Sequence, residues 1–473
     1  MKQLTRRTFF GLAASAAASG LASFKVPAAL ADDSKQMSAR AWQTSGNRHY
    51  EPIEPPAWRE SAAKGAAIVI DPAERFQEVL GFGAAFTDAS CYIFNQLEQR
   101  HRQSLLDEFF SPRGLRLSVC RTCIGASDYS TKPYSFDDGD DPDPELKRFS
   151  IDHDRAYILP ALRAARQINP ELFLFSSPWS PPGWMKTGGS MLGGSMRKKY
   201  YSAYADYFVR FLQGYAGEGV KINGVTIQNE VDTDQDGRMP AALWGQEYEM
   251  EFIKDHLGPA LQRASLDTRI WILDHNYSLW GRAVDELSDP EVNRFVDGVA
   301  WHGYVGSAGA MTRVHQAFPA KHAYWTEGGP DITSPAYATD WAKWSQTYSD
   351  ILRNWARCIV GWNLTLDEKG NPNIGPFPCG GLVTVHSKTG EVTRSGQYYA
   401  FAHYSKAINR GARVICSKGD TAHVSHVALE NPDGSRVLVV TNQGDAETPL
   451  ECQIENRIMA LRLPSDSVTT VVW

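Results

Sequence analysis

Two short apolar runs in this 473-residue chain stop on a carboxylate: Gly224-Val-Thr-Ile-Gln-Asn-Glu230, and His322-Ala-Tyr-Trp-Thr-Glu327, which Gly328 and Gly329 close. In the first, Val225 and Ile227 alternate with small polar residues, the pattern of a buried strand that delivers Asn229 and Glu230 from its C-terminal end. A pair of carboxyl groups is what cleavage of a glycosidic bond requires. Glu230 and Glu327 lie 97 positions apart in the chain, so only the fold can bring them together.

The surrounding sequence supplies a fold that would do so. From Val79 to about Leu366, apolar runs ending in polar residues alternate with longer amphipathic stretches, which is the texture of repeated βα units. The runs are Val79 to Asp88, Leu115 to Arg121, Leu172 to Trp179, Val225 to Glu230, Ile270 to His275, Val296 to Tyr304, Ala323 to Glu327 and Ile359 to Asn363. Tyr201 to Tyr215 and Trp244 to Leu261 read as helices between them. Eight units close a (β/α)8 TIM barrel, an α/β fold whose strand C-termini all face one pocket. An open sheet would instead spread Asp88, Arg121, Trp179, Asn229, Glu230, Asp274, His275, His302, Tyr304, Glu327, Trp362 and Asn363 along an edge.

Both ends of the chain read as β-structure. Arg40 to Thr44 and Ala66 to Ile70 are short strands separated by the Pro-rich Glu51 to Pro56. From Gly396 onward strands are expected again, at Val424 to Leu429, Arg436 to Thr441, Glu451 to Ile454 and Val468 to Trp473, with turn signals such as Asn431-Pro-Asp-Gly434 between them. The expected organisation is a leader over residues 1–31, N-terminal strands over 32–75 that join a β side domain, a catalytic barrel over 76–395 and a β-sandwich over 396–473.

The leader pairs Arg6 and Arg7 with an Ala-rich apolar stretch and ends Ala29-Leu-Ala31, the form of a cleavable twin-arginine signal peptide. Its apolar middle is too short and too rich in Ala, Ser and Gly to be a membrane-spanning anchor. Cleavage after Ala31 would remove four bases and no acids, taking the formal charge from −6 to −10 and leaving 442 residues. A chain so acidic is a poor partner for nucleic acid or an anionic membrane surface, and a periplasmic or extracellular location is expected. Seven scattered cysteines form no disulfide scaffold; Cys120-Arg-Thr-Cys123 has redox spacing but lies along a strand, so buried thiols are expected.

Several longer motifs, in order, resemble glycoside hydrolase family 30, the glucosylceramidase-like enzymes. They are Gly81-Phe-Gly-Ala-Ala-Phe-Thr-Asp88, Ser177-Pro-Trp-Ser-Pro-Pro-Gly-Trp-Met-Lys186, Gln228-Asn-Glu230, Trp325-Thr-Glu327 and Trp362-Asn-Leu-Thr-Leu366. The resemblance implies retaining chemistry on a carbohydrate or glycolipid, with Glu230 as acid/base and Glu327 as nucleophile. It implies further that Asn229 holds the sugar 2-hydroxyl, that Asp88, Trp179 and Trp362 line the sugar subsite, and that Arg121, His302 and Tyr304 surround the nucleophile. Asn363, beside Trp362 at the last strand end, joins the substrate-binding set. As the acid, Glu230 is expected to have its pKa raised by the charge on Glu327. Val231 and Gly303 depart from the family pattern, which usually carries Pro and Trp there, and are expected at the pocket wall.

Other chemistries are less well supported. The acidic loop Asp137 to Asp143 lacks a glutamate at the offset a calcium loop requires, and reads as a solvated rim. Asp274-His275 with His302 could hold a metal, but two catalytic glutamates would then be idle, so neither metal nor cofactor is expected. The second function class is a catalytically silent sugar-binding protein using the same pocket; both glutamates being intact counts against it.

Overall fold

The computed structural model describes residues 39–60 and 67–473, so the proposed leader falls outside the described residues. Eight strands form a closed barrel: β1 Gly81–Phe86, β2 Val119–Cys123, β3 Phe173–Ser177, β4 Gly224–Thr226, β5 Arg269–Asn276, β6 Val296–His302, β7 His322–Glu327 and β8 Ala356–Gly361. Each pairs in parallel with the next, and β8 returns to β1 with Cys358 opposite Gly81. All eight fall within or beside the expected runs. The approach of β1 to β2 requires Gly83, because a Cβ there would lie 1.7 Å from the Val119 carbonyl oxygen.

The barrel interior changes character along its axis. Val119, Phe173, Phe175, Trp271, Ala300, Tyr324, Cys358 and Val360 fill it with an apolar plug, in which Trp271 and Tyr324 stack at 3.9 Å. Because strand side chains alternate with a period of two, the next inward positions are polar: Arg121, Ser177, Thr226 and His302. Asp274 enters this layer through a β-bulge. Ala300 pairs with Leu273 and Trp301 with His275, which leaves Asp274 as the extra residue, with Leu273 and Asp274 at φ of 71° and 45°. Bulges re-aim side chains in this way, and this one turns a carboxylate inward.

The β side domain is assembled from both ends of the chain in one ten-stranded sheet. Arg40–Ser45 pairs with Ser467–Val472, with Trp42 opposite Thr470, and Ile68–Glu78 lies between Arg413–Lys418 and Thr448–Ile454. The Pro-rich stretch is partly strand as well. Arg48–Ile53 is the outermost strand, where Pro52 forfeits little pairing.

Three expectations need correction. Gly396–Ser405 is a helix where strands were expected from Gly396 onward; Ser395 caps it by accepting from the Tyr398 amide. Nearly every face of this helix is buried, so it carries no amphipathic stripe to betray it. Its His403 accounts for much of that, joining Thr44 and Thr470 at 2.8 Å each; burial holds the imidazole down at about 3, hence neutral. The expected helix Trp244 to Leu261 is broken by a π-turn at Phe252–Leu257, just before Gly258 and Pro259, where proline cannot donate to an α-helical ladder. The acidic loop is not a simple solvated rim: Asp137 and Asp143 are buried. Arg148 binds the Asp138 and Asp141 carbonyls at 3.0 and 2.7 Å, and its amide donates to Asp143 at 2.8 Å. Cys120 and Cys123 are buried in β2, and all seven cysteines are free.

Candidate active site

The polar layer above the plug is organised by Arg121, whose side chain is fully buried. Its guanidinium donates to Glu327 Oε2, to Asp274 Oδ2 at 2.7 Å, to Asn229 Oδ1 at 2.8 Å and to Ser177 Oγ at 3.1 Å. It also lies 4.6 Å from the Trp179 ring and 5.6 Å from that of Trp362. A planar fork with several donors can tie four strand ends together, which a lysine could not do. Asp274 anchors the opposite side, accepting from Ser177 and Thr226 at 2.8 and 2.7 Å and from Thr326 at 2.7 Å. Burial would push this carboxyl up, but Arg121 and His302 outweigh it and hold Asp274 well below the usual carboxylate range.

Both predicted glutamates meet one imidazole. His302 Nδ1 lies 3.3 Å from Glu230 Oε1, and its Nε2 lies 3.0 Å from Asp274 Oδ1 and 3.7 Å from Glu327 Oε2. Burial pulls His302 down, yet Glu327, Asp274 and Glu230 raise it to about 9, so the ring is charged at neutral pH. Glu327 receives the Tyr304 hydroxyl at 3.1 Å in addition to Arg121. The Tyr304 ring is 44% exposed while its hydroxyl reaches inward. Glu230 stands in the loop that follows β4, with a left-handed φ of 56°, and takes Gln235 Nε2 at 3.1 Å on its other oxygen.

The expected rise in the Glu230 pKa is not found. Burial acts in that direction, but the hydrogen bond and charge of His302, with His275 and Arg121 behind it, hold the carboxyl below its ordinary value.

A cavity of about 590 Å³ opens over this layer, of a size that suits a small ligand. Asn229, Glu230, Glu327, Trp179, Trp362 and Tyr304 line it. Arg121 takes the Asn229 oxygen, which leaves the Asn229 amide hydrogens for a ligand. Trp179 and Trp362 stack on each other at 5.0 Å and are 2% and 1% exposed, so they are built into the core as well as into the wall. Arg121 and His302 sit beneath the cavity rather than on its surface.

Asp88 and Asn363 are not among the lining residues. Asp88 begins a helix, and its carboxylate is taken by the Thr131 amide at 2.6 Å, Tyr157 at 2.6 Å and His153 at 2.7 Å. Asn363 accepts from Thr87 at 2.9 Å. Val231 is fully buried and Gly303 is exposed, so neither forms the wall; a Cβ at Gly303 would lie 2.7 Å from the Trp325 ring. Asp128 lines the cavity unforeseen. Burial, with Glu327 and Glu230 nearby, pushes its carboxyl well up, and Oδ1 has no partner among the described residues. Its position in the loop just after β2 is the sequence signal that could have found it.

Residues 79–408 match the glycosyl hydrolase family 30 TIM-barrel domain, and residues 411–471 match the family's beta sandwich domain. The chain belongs to glycoside hydrolase family 30. Its similarity to an endo-1,6-beta-D-glucanase of Neurospora crassa is 34% identity over 79% of this chain and 80% of that one. The lysosomal acid glucosylceramidase of Mus musculus is 29% identical, over 86% and 84%. Among solved structures, an endo-beta1,6-glucanase superposes with a TM-score of 0.83 at 28% identity, covering 92% of this chain and 99% of that one. SrfJ from Salmonella typhimurium gives 0.87 at 26%, with the same coverage. As a family 30 member the chain is a glycoside hydrolase, and Glu230 and Glu327 meet at His302 on the floor of its cavity.

Proposed function

We propose that this family 30 enzyme hydrolyses β-glucosidic bonds by double displacement, acting on β-1,6-glucan or glucosylceramide-like β-glucosides. The observation that carries the reading is that two carboxylates from separate strands flank one charged imidazole at the floor of a tryptophan-walled cavity. Glu327 is the nucleophile: Arg121, His302 and the Tyr304 hydroxyl hold and aim its carboxylate, and it would attack the anomeric carbon. Glu230 is the acid/base. It shares one proton with His302 across 3.3 Å, passes it to the leaving oxygen, and later accepts one from the attacking water. Asn229 offers its amide hydrogens to a sugar hydroxyl, while Trp179 and Trp362 give the ring an apolar wall.

Relatives named for β-1,6-glucan and for glucosylceramide both lie near 30% identity, so both substrates belong in the test. Hydrolysis of β-1,6-glucan, glucosylceramide and an aryl β-glucoside should be compared, with the first-formed anomer followed by NMR. The β-anomer is expected first. First appearance of the α-anomer would replace double displacement with a single inversion, and inactivity on all three would leave the silent sugar-binding alternative in its place. The twin-arginine leader of residues 1–31 supports export to the periplasm or beyond. Among the described residues no helix is long and apolar enough to cross a membrane.

A further inference from the structure

His275 was not assigned a role by the reaction, yet it is the most unusual neighbour of Glu230. Its side chain is 7% exposed, its Nε2 is committed to Asp232 Oδ1 at 2.5 Å, and its Nδ1 has no hydrogen-bond partner among the described residues. That nitrogen lies 3.6 Å from Glu230 Oε1. His302 repeats the arrangement, with Nε2 on Asp274 at 3.0 Å and Nδ1 3.3 Å from the same Glu230 oxygen. Two imidazoles, each fixed through one nitrogen by a carboxylate, therefore aim the other nitrogen at one carboxylate oxygen.

We propose that His275 Nδ1, His302 Nδ1 and Glu230 Oε1 form a capture site for a borderline divalent cation such as Zn2+, and that its occupation switches hydrolysis off. Bonds of about 2.0–2.1 Å at tetrahedral angles place neighbouring donors about 3.3–3.4 Å apart. The two separations from Glu230 Oε1, 3.3 and 3.6 Å, already stand near that value, and one donor atom from each of the three residues lies within 4.8 Å of the other two. The carboxylates behind the imidazoles are the partners that orient metal-binding histidines and raise their basicity. Glu230, Asp232, Asp274 and Glu327 surround the position, against Arg121 and the charged His302 ring, so four carboxylates still outnumber the cations; the metal takes the place of the proton between His302 Nδ1 and Glu230, which leaves to solvent. Glu230 and His275 line the cavity, which leaves the fourth coordination position open to water or a substrate hydroxyl. A two-histidine, one-glutamate set suits zinc and its neighbours rather than calcium or magnesium.

This does not revive metal-dependent hydrolysis. The cation would occupy the oxygen that must hold the leaving group's proton, so it competes with catalysis. That half of the proposal rests on Glu230 being the acid/base, whereas binding itself does not. The test uses untagged enzyme, with Zn2+ binding followed by calorimetry and Co2+ binding by its visible absorption. One Zn2+ per chain and a tetrahedral Co2+ spectrum are expected. His275→Gln should weaken binding by about a hundredfold or more, and Asp232→Asn, which alters only the partner behind His275, by about ten- to a hundredfold. No binding by the wild type, or unchanged affinity in His275→Gln, would overturn the site. If His275→Gln fails to fold by circular dichroism, unchanged affinity in Asp232→Asn overturns it instead. Hydrolysis should fall over the same Zn2+ range as binding and return with EDTA. Binding at full activity would overturn the inhibitory role, and calorimetry still decides the site if none of the tested glucosides is turned over.

Discussion

The ends of β4 and β7 present the same residue type to the same cavity and treat it in opposite ways. Glu327 is bound by a permanent cation and a phenol, two donors that fix the direction of its carboxylate. Glu230 is bound by His302, faced by His275 and touched by Gln235, groups that themselves gain or lose protons or can swing away. A nucleophile requires a fixed charge and a fixed direction, whereas an acid that later turns base requires a partner with which to exchange protons. On the proposed roles, the division of labour between two chemically identical side chains follows from what surrounds them.

The most damaging way to break the contrast is Glu327→Gln. An amide cannot form the glycosyl bond, so kcat should fall by at least about ten thousandfold on every substrate, activated or not. Arg121 would keep Asp274 and Asn229, so the melting temperature should move little. Retention of a tenth of the wild-type rate would remove Glu327 from its role.

Next in size is the wall. A place in the sugar subsite, which the family resemblance implies for Trp179 and Trp362, would make them act on binding more than on folding. Their mutual stacking and near-complete burial change that expectation. Trp362→Ala should lower kcat/KM and also cost about 3–5 kcal/mol of stability, seen as a clear drop in melting temperature. An unchanged melting temperature would return it to a rim residue.

What was legible in the sequence follows from this pattern. The eight strands and the residues at their ends could be read because continuous apolar runs, buried on both faces, and abrupt polar termini are local signals. The helix Gly396–Ser405 could not be read that way, since burial on nearly all sides erases periodicity. The family resemblance implied that Asp88 lines the sugar subsite, but its oxygens are already taken by Thr131, His153 and Tyr157. Asp128 and the role of Asp274 depend on loop and bulge geometry that no spacing rule reveals. The lowered Glu230 carboxyl depends on where the charges of Arg121 and His302 fall, which is a property of the assembled site.

A smaller effect separates the catalytic carboxylates from a buried one that only supports the fold. Asp154 accepts from Tyr134 at 3.0 Å and from Tyr215, but burial pushes it up to about 7. The unfolded chain releases that proton near pH 4, so between about pH 4 and 7 the folded state binds it more tightly. Its stabilising contribution is full below about pH 4 and lost as the pH rises through 7. Wild-type melting temperature should therefore drop by a few degrees more between pH 5 and 8 than that of Asp154→Asn. Parallel profiles would mean that Asp154 is already ionised at pH 5.

The central claim, that Glu230 manages the proton and Glu327 forms the bond, is tested most directly by Glu230→Ala with azide. Substrates whose leaving group needs a proton should slow by several powers of ten, while an activated aryl β-glucoside should still glycosylate Glu327 and then stall for want of a base. Azide needs no base, so it should restore turnover and give the β-glucosyl azide. An α-azide, or no rescue at any azide concentration, would contradict the assignment.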